Sequence, residues 1–318
     1  MQPLDTLSIA SFGGAYSLPL KIYTGVLGQL GDVIGFSATA RRIKEIFPNS
    51  AITFAVSKRF QEAGELLVGL PYIDKLFVTE LYFEKLTPEL VPLFEAGWNV
   101  ELRGEDEIEE QKGYDLVLET RPRCRRANWW QYAHQVGELA HRVGIPSLTD
   151  LRTEIAIPPG TEVPRDVRDK IILHNDAITD TRKGWSWDYV RELVQRLPEG
   201  SVTLIGTQGE RVDGVMDLRG QTTLAQAASI ISQCRCYIGI DSGPMWIAGS
   251  LQAPTIGLYG TDYIAAYSAI TPYNPNALYL QAEGNVSEIT PETVLTALWT
   301  LEARRTQRRE EQGEGDGK

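Results

Sequence analysis

Apolar and polar positions along the chain alternate between short continuous apolar runs and longer amphipathic stretches. LKIY at 20–23 predicts a strand, and Phe36, Ala40, Ile43 and Phe47 recur at helical spacing, predicting a helix over 32–47. PNS stops that helix, and AITFAV (51–56) predicts the next strand. A helix follows over 59–70, then strands over 73–79 and 114–120, and a helix over 128–143. The stretch at 155–169, IAIPPGTEVPRDVRD, is dense in proline and charge and predicts a linker. The pattern then restarts. Strands are predicted over 170–175, 201–206, 236–240 and 254–260, with helices over 186–197 and 223–234, a short one after Gly243, and a closing one over 290–305. Strand and helix in strict alternation imply an α/β chain with parallel, doubly wound sheets. Ligands in such sheets bind at the carboxyl ends of the strands.

The length of 318 residues exceeds one ordinary core. Two Rossmann-like domains are expected, 1–155 and 156–305, facing a central cleft, with 306–318 as a disordered tail. The net charge of −11 argues against nonspecific nucleic-acid binding. Three cysteines suggest a reducing compartment rather than a disulfide scaffold, and the lone C-x-C of Cys234 and Cys236 reads as core. The first twenty residues lack a basic n-region, and no apolar run approaches the ~20 residues that span a bilayer. A cytoplasmic protein is expected, with contact to the inner membrane surface left open.

The glycine loop TGVLGQLGDVIG (24–35) is spaced G-x-x-G-x-x-G, and the second strand ends without an acid. Both features count against a dinucleotide cofactor, which wants G-x-G-x-x-G and an acid for the ribose. Asp32, in the first turn of the following helix, is then either a helix cap or a general base that takes a proton from an attacking hydroxyl. In the second half, Asp241, Ser242 and Gly243 make a turn that opens a helix, suited to a pyrophosphate or simply structural. Lys183, in the loop after the strand ending near His174, either bridges phosphate oxygens or is a solvated charge.

Taken in order, these blocks resemble glycosyltransferase family 9, the heptosyltransferases that use ADP-heptose. GDVIGFSATARRIKEIFPNSAITFAV resembles that family's opening G-D, helix and strand; RKGWSWDYVREL is similar to its K-x-W and helix; IDSGPMWIAGSLQAPTIGLYGTD resembles its D-[ST]-G block ending in G-x-T-D. The resemblance implies a GT-B fold and inverting sugar transfer from a nucleotide sugar to a glycan hydroxyl, with lipopolysaccharide core as the suggested acceptor. It implies Asp32 as the base, Lys183 on the leaving diphosphate, Asp241, Ser242 and Gly243 around the pyrophosphate, and Glu210 on the donor ribose. The family's histidine is Trp246 here, and Pro244 removes one backbone N–H from the turn, so donor contacts at Trp246 are expected to differ. No cofactor is expected, and no metal either, because no convincing D-x-D lies in an apolar setting; Lys183 and helix dipoles would neutralise the leaving group in its place.

Arg121, Arg123, Arg125 and Arg126 follow the strand ending near Thr120 and suit an acidic glycan or glycolipid acceptor, or else form a solvated helix start. Two other readings stay open. One is a noncatalytic GT-B-like protein that binds nucleotide sugars, and the other is a nucleotide-sugar epimerase of GT-B form.

Overall fold

The computed structural model describes residues 18–26, 28–79, 113–120, 152–177, 181–262 and 271–311. The chain divides into two compact units, Met1–Ala156 and Ile157–Lys318.

In the first unit, β1 (Lys21–Val26), β2 (Ala51–Ser57), β3 (Lys75–Thr79) and β4 (Leu116–Thr120) form a parallel sheet in the order β3-β2-β1-β4. Residues 52–57 of β2 are buried without a break. That requires cover on both faces, which is how parallel strands are built into α/β proteins. Among the described residues the sheet is entered at β1, steps outward to β3, and is completed on the other side of β1 by β4. The carboxyl ends at this reversal are level, Val26 pairing with Thr120.

Two helices, α1 (Leu30–Gly35) and α2 (Ser37–Ile46), replace the single one expected over 32–47. The chain bends at Phe36, and the Thr39 N–H donates to the Phe36 carbonyl at 3.0 Å in a tightened i−3 bond. Phe36 is fully buried and lies edge-on to Phe54 at 5.9 Å. Packing on β2 therefore sets a bend that leaves the apolar spacing unchanged. The helix α3 (Gln61–Glu65), after a 3-10 turn at Lys58–Phe60, stops short of the expected 59–70. One carbonyl just past it, that of Leu66, accepts from the Ala156 N–H at 2.6 Å. The helix expected over 128–143 lies outside the described residues.

In the second unit, β5 (Ile171–His174), β6 (Val202–Ile205), β7 (Met216–Asp217), β8 (Cys236–Ile240), β9 (Thr255–Tyr259) and β10 (Ala277–Gln281) form a parallel sheet ordered β10-β9-β8-β5-β6-β7. Its helices are α4 (Trp187–Gln195), α5 (Leu224–Ser232), α6 (Gly243–Ser250) and α7 (Pro291–Glu311). Neither β7 nor β10 was expected. Both are sheet-edge strands, too short or too weakly alternating to stand out. The core gathers Ile171, Leu173, Val202, Leu204, Ile238 and Ile256 from the strands with Val190, Leu193, Val294 and Leu298 from α4 and α7. A capping box starts α5, the Gln226 N–H donating to Thr223 Oγ1 at 3.2 Å and the Thr223 N–H to Gln226 Oε1 at 2.9 Å.

The proline-rich stretch is anchored at both ends. The Glu154 N–H, just before it, donates to Ser37 Oγ at 3.0 Å in the first unit, and Val167 is buried in the second. Residues 306–311, expected in a disordered tail, continue α7 instead. Their Arg, Gln and Glu content favours helix, and Gln307 donates to Glu311 four residues on at 2.9 Å. Residues 312–318 lie outside the described residues.

Candidate active site

The strand order of the second, all-parallel sheet reverses between β5 and β8, where His174 stands in register with Gly239. The loops leaving these strands meet there. Lys183, in a 3-10 turn at Thr181–Lys183 after β5, donates from Nζ to Asp241 Oδ2 at 2.5 Å, one residue past β8. The lysine side chain is 23% exposed and the aspartate 12%, so the pair sits on the wet edge of the sheet rather than inside it. A chain separation of 58 residues is closed by topology.

Two residues beyond the lysine, Trp185 fastens its loop. It is buried, and its indole N–H donates to the Ile289 carbonyl at 2.7 Å. Asn175 then holds the Trp185 backbone on both sides, its Nδ2 donating to the carbonyl at 2.7 Å and its Oδ1 accepting from the N–H at 2.8 Å. The tryptophan of the K-x-W pattern thus acts as the peg from which the lysine is presented.

Ser242 is the N-cap residue of α6, in extended backbone conformation, with Pro244 in the first turn. Proline is accommodated there because the first-turn N–H groups have no intrahelical partner. The Ser242 hydroxyl donates to the Ile240 carbonyl at 3.1 Å and lies 3.2 Å from His174 Nδ1. A hydroxyl has one proton, so the assignment that satisfies both contacts puts a hydrogen on His174 Nδ1. Burial pushes the imidazole pKa down to about 4, with the nearby Asp176 charge opposing, so this histidine is neutral near pH 7. The Ser242 hydroxyl, in the turn read as suited to a pyrophosphate or simply structural, is engaged within the turn. Trp246 is buried in α6.

Glu210 lies in the loop after β6. Its carboxylate is exposed and accepts from Arg191 Nη1 of α4 at 2.9 Å, while Arg191 also bridges to Asp188 at 2.7 Å. These carboxylates hold the guanidinium pKa above its usual value, the Asp188 hydrogen bond contributing most. The G-x-T-D ending is also explained. A Cβ on Gly260 would stand 2.7 Å from the Gly284 carbonyl, and Asp262 accepts from Asn285 Nδ2 at 2.9 Å.

In the first unit, Asp32 sits in α1 just past β1 and is 8% exposed. Its Oδ2 accepts from the Gln29 N–H at 2.6 Å. The cap geometry weighed against a base is therefore present, and it fixes where the carboxylate points. Gly28 is required by the same contact, because a Cβ there would fall 2.4 Å from Asp32 Oδ2. Gly25 answers a different need, its Cα facing the Ala55 carbonyl of β2 so closely that a Cβ would reach 2.3 Å. Arg121, Arg123, Arg125 and Arg126 lie outside the described residues.

His174, Asn175 and Asp176 went unassigned in the sequence. The one available signal was their place directly at the end of a central strand.

Residues 160–293 match the model of glycosyltransferase family 9 (heptosyltransferase). Lipopolysaccharide heptosyltransferase 2 of Salmonella typhimurium is 30% identical over 115 residues, 32% of this chain. That match spans about a third of the relative's own length, 33%. Among solved structures, the family 9 glycosyl transferase of Veillonella parvula aligns with a TM-score of 0.64 at 17% identity over 90% of this chain and 99% of the other. ADP-heptose lps heptosyltransferase II of E. coli gives 0.62 at 18% over 90% and 100%. E. coli heptosyltransferase WaaC with ADP gives 0.64 at 15% over 89% and 100%. Likeness at these identities shows the fold, a GT-B fold of two parallel-sheet units.

Proposed function

We propose, from the premise that this chain carries a glycosyltransferase family 9 domain over residues 160–293, that it transfers a heptose-like sugar from a nucleotide sugar to a glycan hydroxyl. The observation that carries this reading is the Lys183–Asp241 pair at the strand reversal of that domain. A diphosphate bears more negative charge than one carboxylate, so the ammonium can pass from Asp241 to the departing phosphates. Groups that meet charge as it develops typically supply the largest catalytic term.

In this mechanism Asp32 takes the proton of the acceptor hydroxyl. The oxygen attacks the anomeric carbon from the face opposite the nucleotide, and the C–O bond to the diphosphate breaks with inversion. The lysine neutralises the leaving group, and no metal is required for that step. The acceptor we favour is a lipopolysaccharide-type glycan, as the name of the Salmonella relative suggests, bound through the Arg121–Arg126 cluster and reached by peripheral contact with the inner face of the membrane. One observation favours the noncatalytic binding reading: Asp32 is already engaged on the Gln29 N–H.

Release of nucleoside diphosphate from nucleotide sugars, with and without glycan acceptors, separates these readings in wild type, Asp32→Asn and Lys183→Ala. Acceptor-dependent release that both variants lose is the expected result. Conversion of the donor with no acceptor present indicates an epimerase, and binding without any conversion indicates a binding protein.

A further inference from the structure

The loop after β6, residues 206–210, is held by side chains that lie outside it. Asp176, two residues past β5, is 8% exposed. Its Oδ2 accepts from the Thr207 N–H at 2.8 Å, from the Thr207 hydroxyl, and from the Gln208 N–H at 3.3 Å. Glycines with left-handed φ values flank this grip, Gly206 at +131° and Gly209 at +140°. A Cβ on Gly209 would stand 2.3 Å from the Trp187 ring and 2.4 Å from Arg219 Nη1, so the loop lies directly on both.

Arg219 is itself fixed. It donates to Asp217 through Nε at 2.8 Å and Nη2 at 2.5 Å, and stacks over Trp187 at 5.3 Å. The Gly220 N–H donates to the Gly206 carbonyl at 2.8 Å. Asp176 Oδ1 and Arg219 Nη1 are both buried and have no hydrogen-bond partner among the described residues. A buried carboxylate that spends one oxygen on three donors from a single loop ties its own solvation to that loop's shape. Opening the loop would strip Asp176 of its donors, so the closed form is favoured strongly.

We infer that Asp176 is a positioning residue that sets loop 206–210, and with it Glu210, for the nucleoside part of the donor. The inference rests on the nucleotide-sugar reading above. The loop shares the carboxyl edge of the sheet with Lys183 and Asp241, one strand away from the reversal. Asp176 does not touch the reacting atoms. Its removal acts through the loop, so it weakens donor binding in ground and transition state alike, raising the donor KM and leaving kcat at saturating donor in place.

The experiment combines titration with ADP and amide hydrogen exchange on wild type, Asp176→Ala and Asp176→Asn. Loss of hydrogen bonds to a charged group predicts ADP affinity lower in Asp176→Ala by on the order of tenfold to a hundredfold. Exchange should accelerate at 206–210 and stay unchanged in β5 and β8. Asp176→Asn keeps an acceptor oxygen for the two backbone N–H groups and should recover most of the affinity. Equal ADP affinity and equal exchange in wild type and Asp176→Ala would overturn the inference. Accelerated exchange throughout the second unit, not rescued by Asp176→Asn, would also overturn it, because the residue would then be merely structural. A wild type that ignores millimolar ADP and other nucleoside diphosphates instead defeats the nucleotide-sugar reading. The exchange at 206–210 then still decides whether Asp176 holds the loop.

Discussion

The two strand reversals of this molecule are built alike and furnished differently. In each sheet the chain starts in the middle, runs to one edge and returns on the other side of its first strand. At the first reversal the described chemistry centres on Asp32, whose carboxylate accepts from the Gln29 N–H. At the second, an ion pair, a buried neutral histidine, a pegged tryptophan and a clamped loop share one sheet edge. A site that must receive a diphosphate needs its charges arranged in advance, since reorganisation would consume the binding energy. A base needs only to be placed and left able to take a proton. The family match falls wholly in the more furnished unit.

The sharpest break of this contrast is Asp32→Asn. It should reduce transfer by about 10²–10⁴-fold, the range for general-base catalysis, while leaving nucleotide affinity unchanged. Initial rates and ADP titration on the same preparation check both halves, and a parallel loss of affinity would undo the division of labour. Lys183→Ala should cost about 10²–10³-fold in rate and also abolish stabilisation by ADP. Its apo stability should fall too, because the partly covered Asp241 carboxylate loses its cation. Adding Asp241→Asn should restore stability but not rate, which thermal unfolding and kinetics separate.

Next is a pH effect confined to the second unit. The unfolded His174 binds a proton near pH 6.5, and the folded one only near about 4. Its contribution is therefore fully present above pH 6.5 and is lost as pH falls toward 4, by about 3 kcal/mol in all. Carboxylates titrate over the same range, so the quantity to measure is the difference in unfolding free energy between wild type and His174→Gln from pH 7 to 4. That difference should shrink with acid. The smallest expected effect is Gly28→Ala, where a methyl group meets the Asp32 carboxylate. Displacing it should cost about 1–3 kcal/mol, divided between stability and transfer rate, with ADP affinity unaffected.

The alternation of apolar runs was enough to locate most of the strands of both sheets to within a residue or two, because buried parallel strands leave a continuous signal. The edge strands β7 and β10 left none, being short and half covered. The bend at Phe36 was equally silent, since a ring packed on Phe54 changes the helix axis without changing the spacing of apolar positions. Lys183 and Asp241 stood out as residue types in suggestive turns. That they touch did not, because nothing local links positions 58 apart.

Sequence alone determined the α/β class and the two-unit plan, and singled out candidates for handling a phosphate, because periodicity and side-chain chemistry are local properties. The glycine spacing of 24–35 raised a question that only tertiary structure could answer. Gly25 yields to a neighbouring strand and Gly28 to a carboxylate four residues on. Tertiary structure likewise decided that Ser242 is engaged, that His174 is neutral, and that Asp176 grips a loop 31 residues away. Each of these depends on burial and on which loops a strand reversal brings together, and neither is written in any one stretch of the chain.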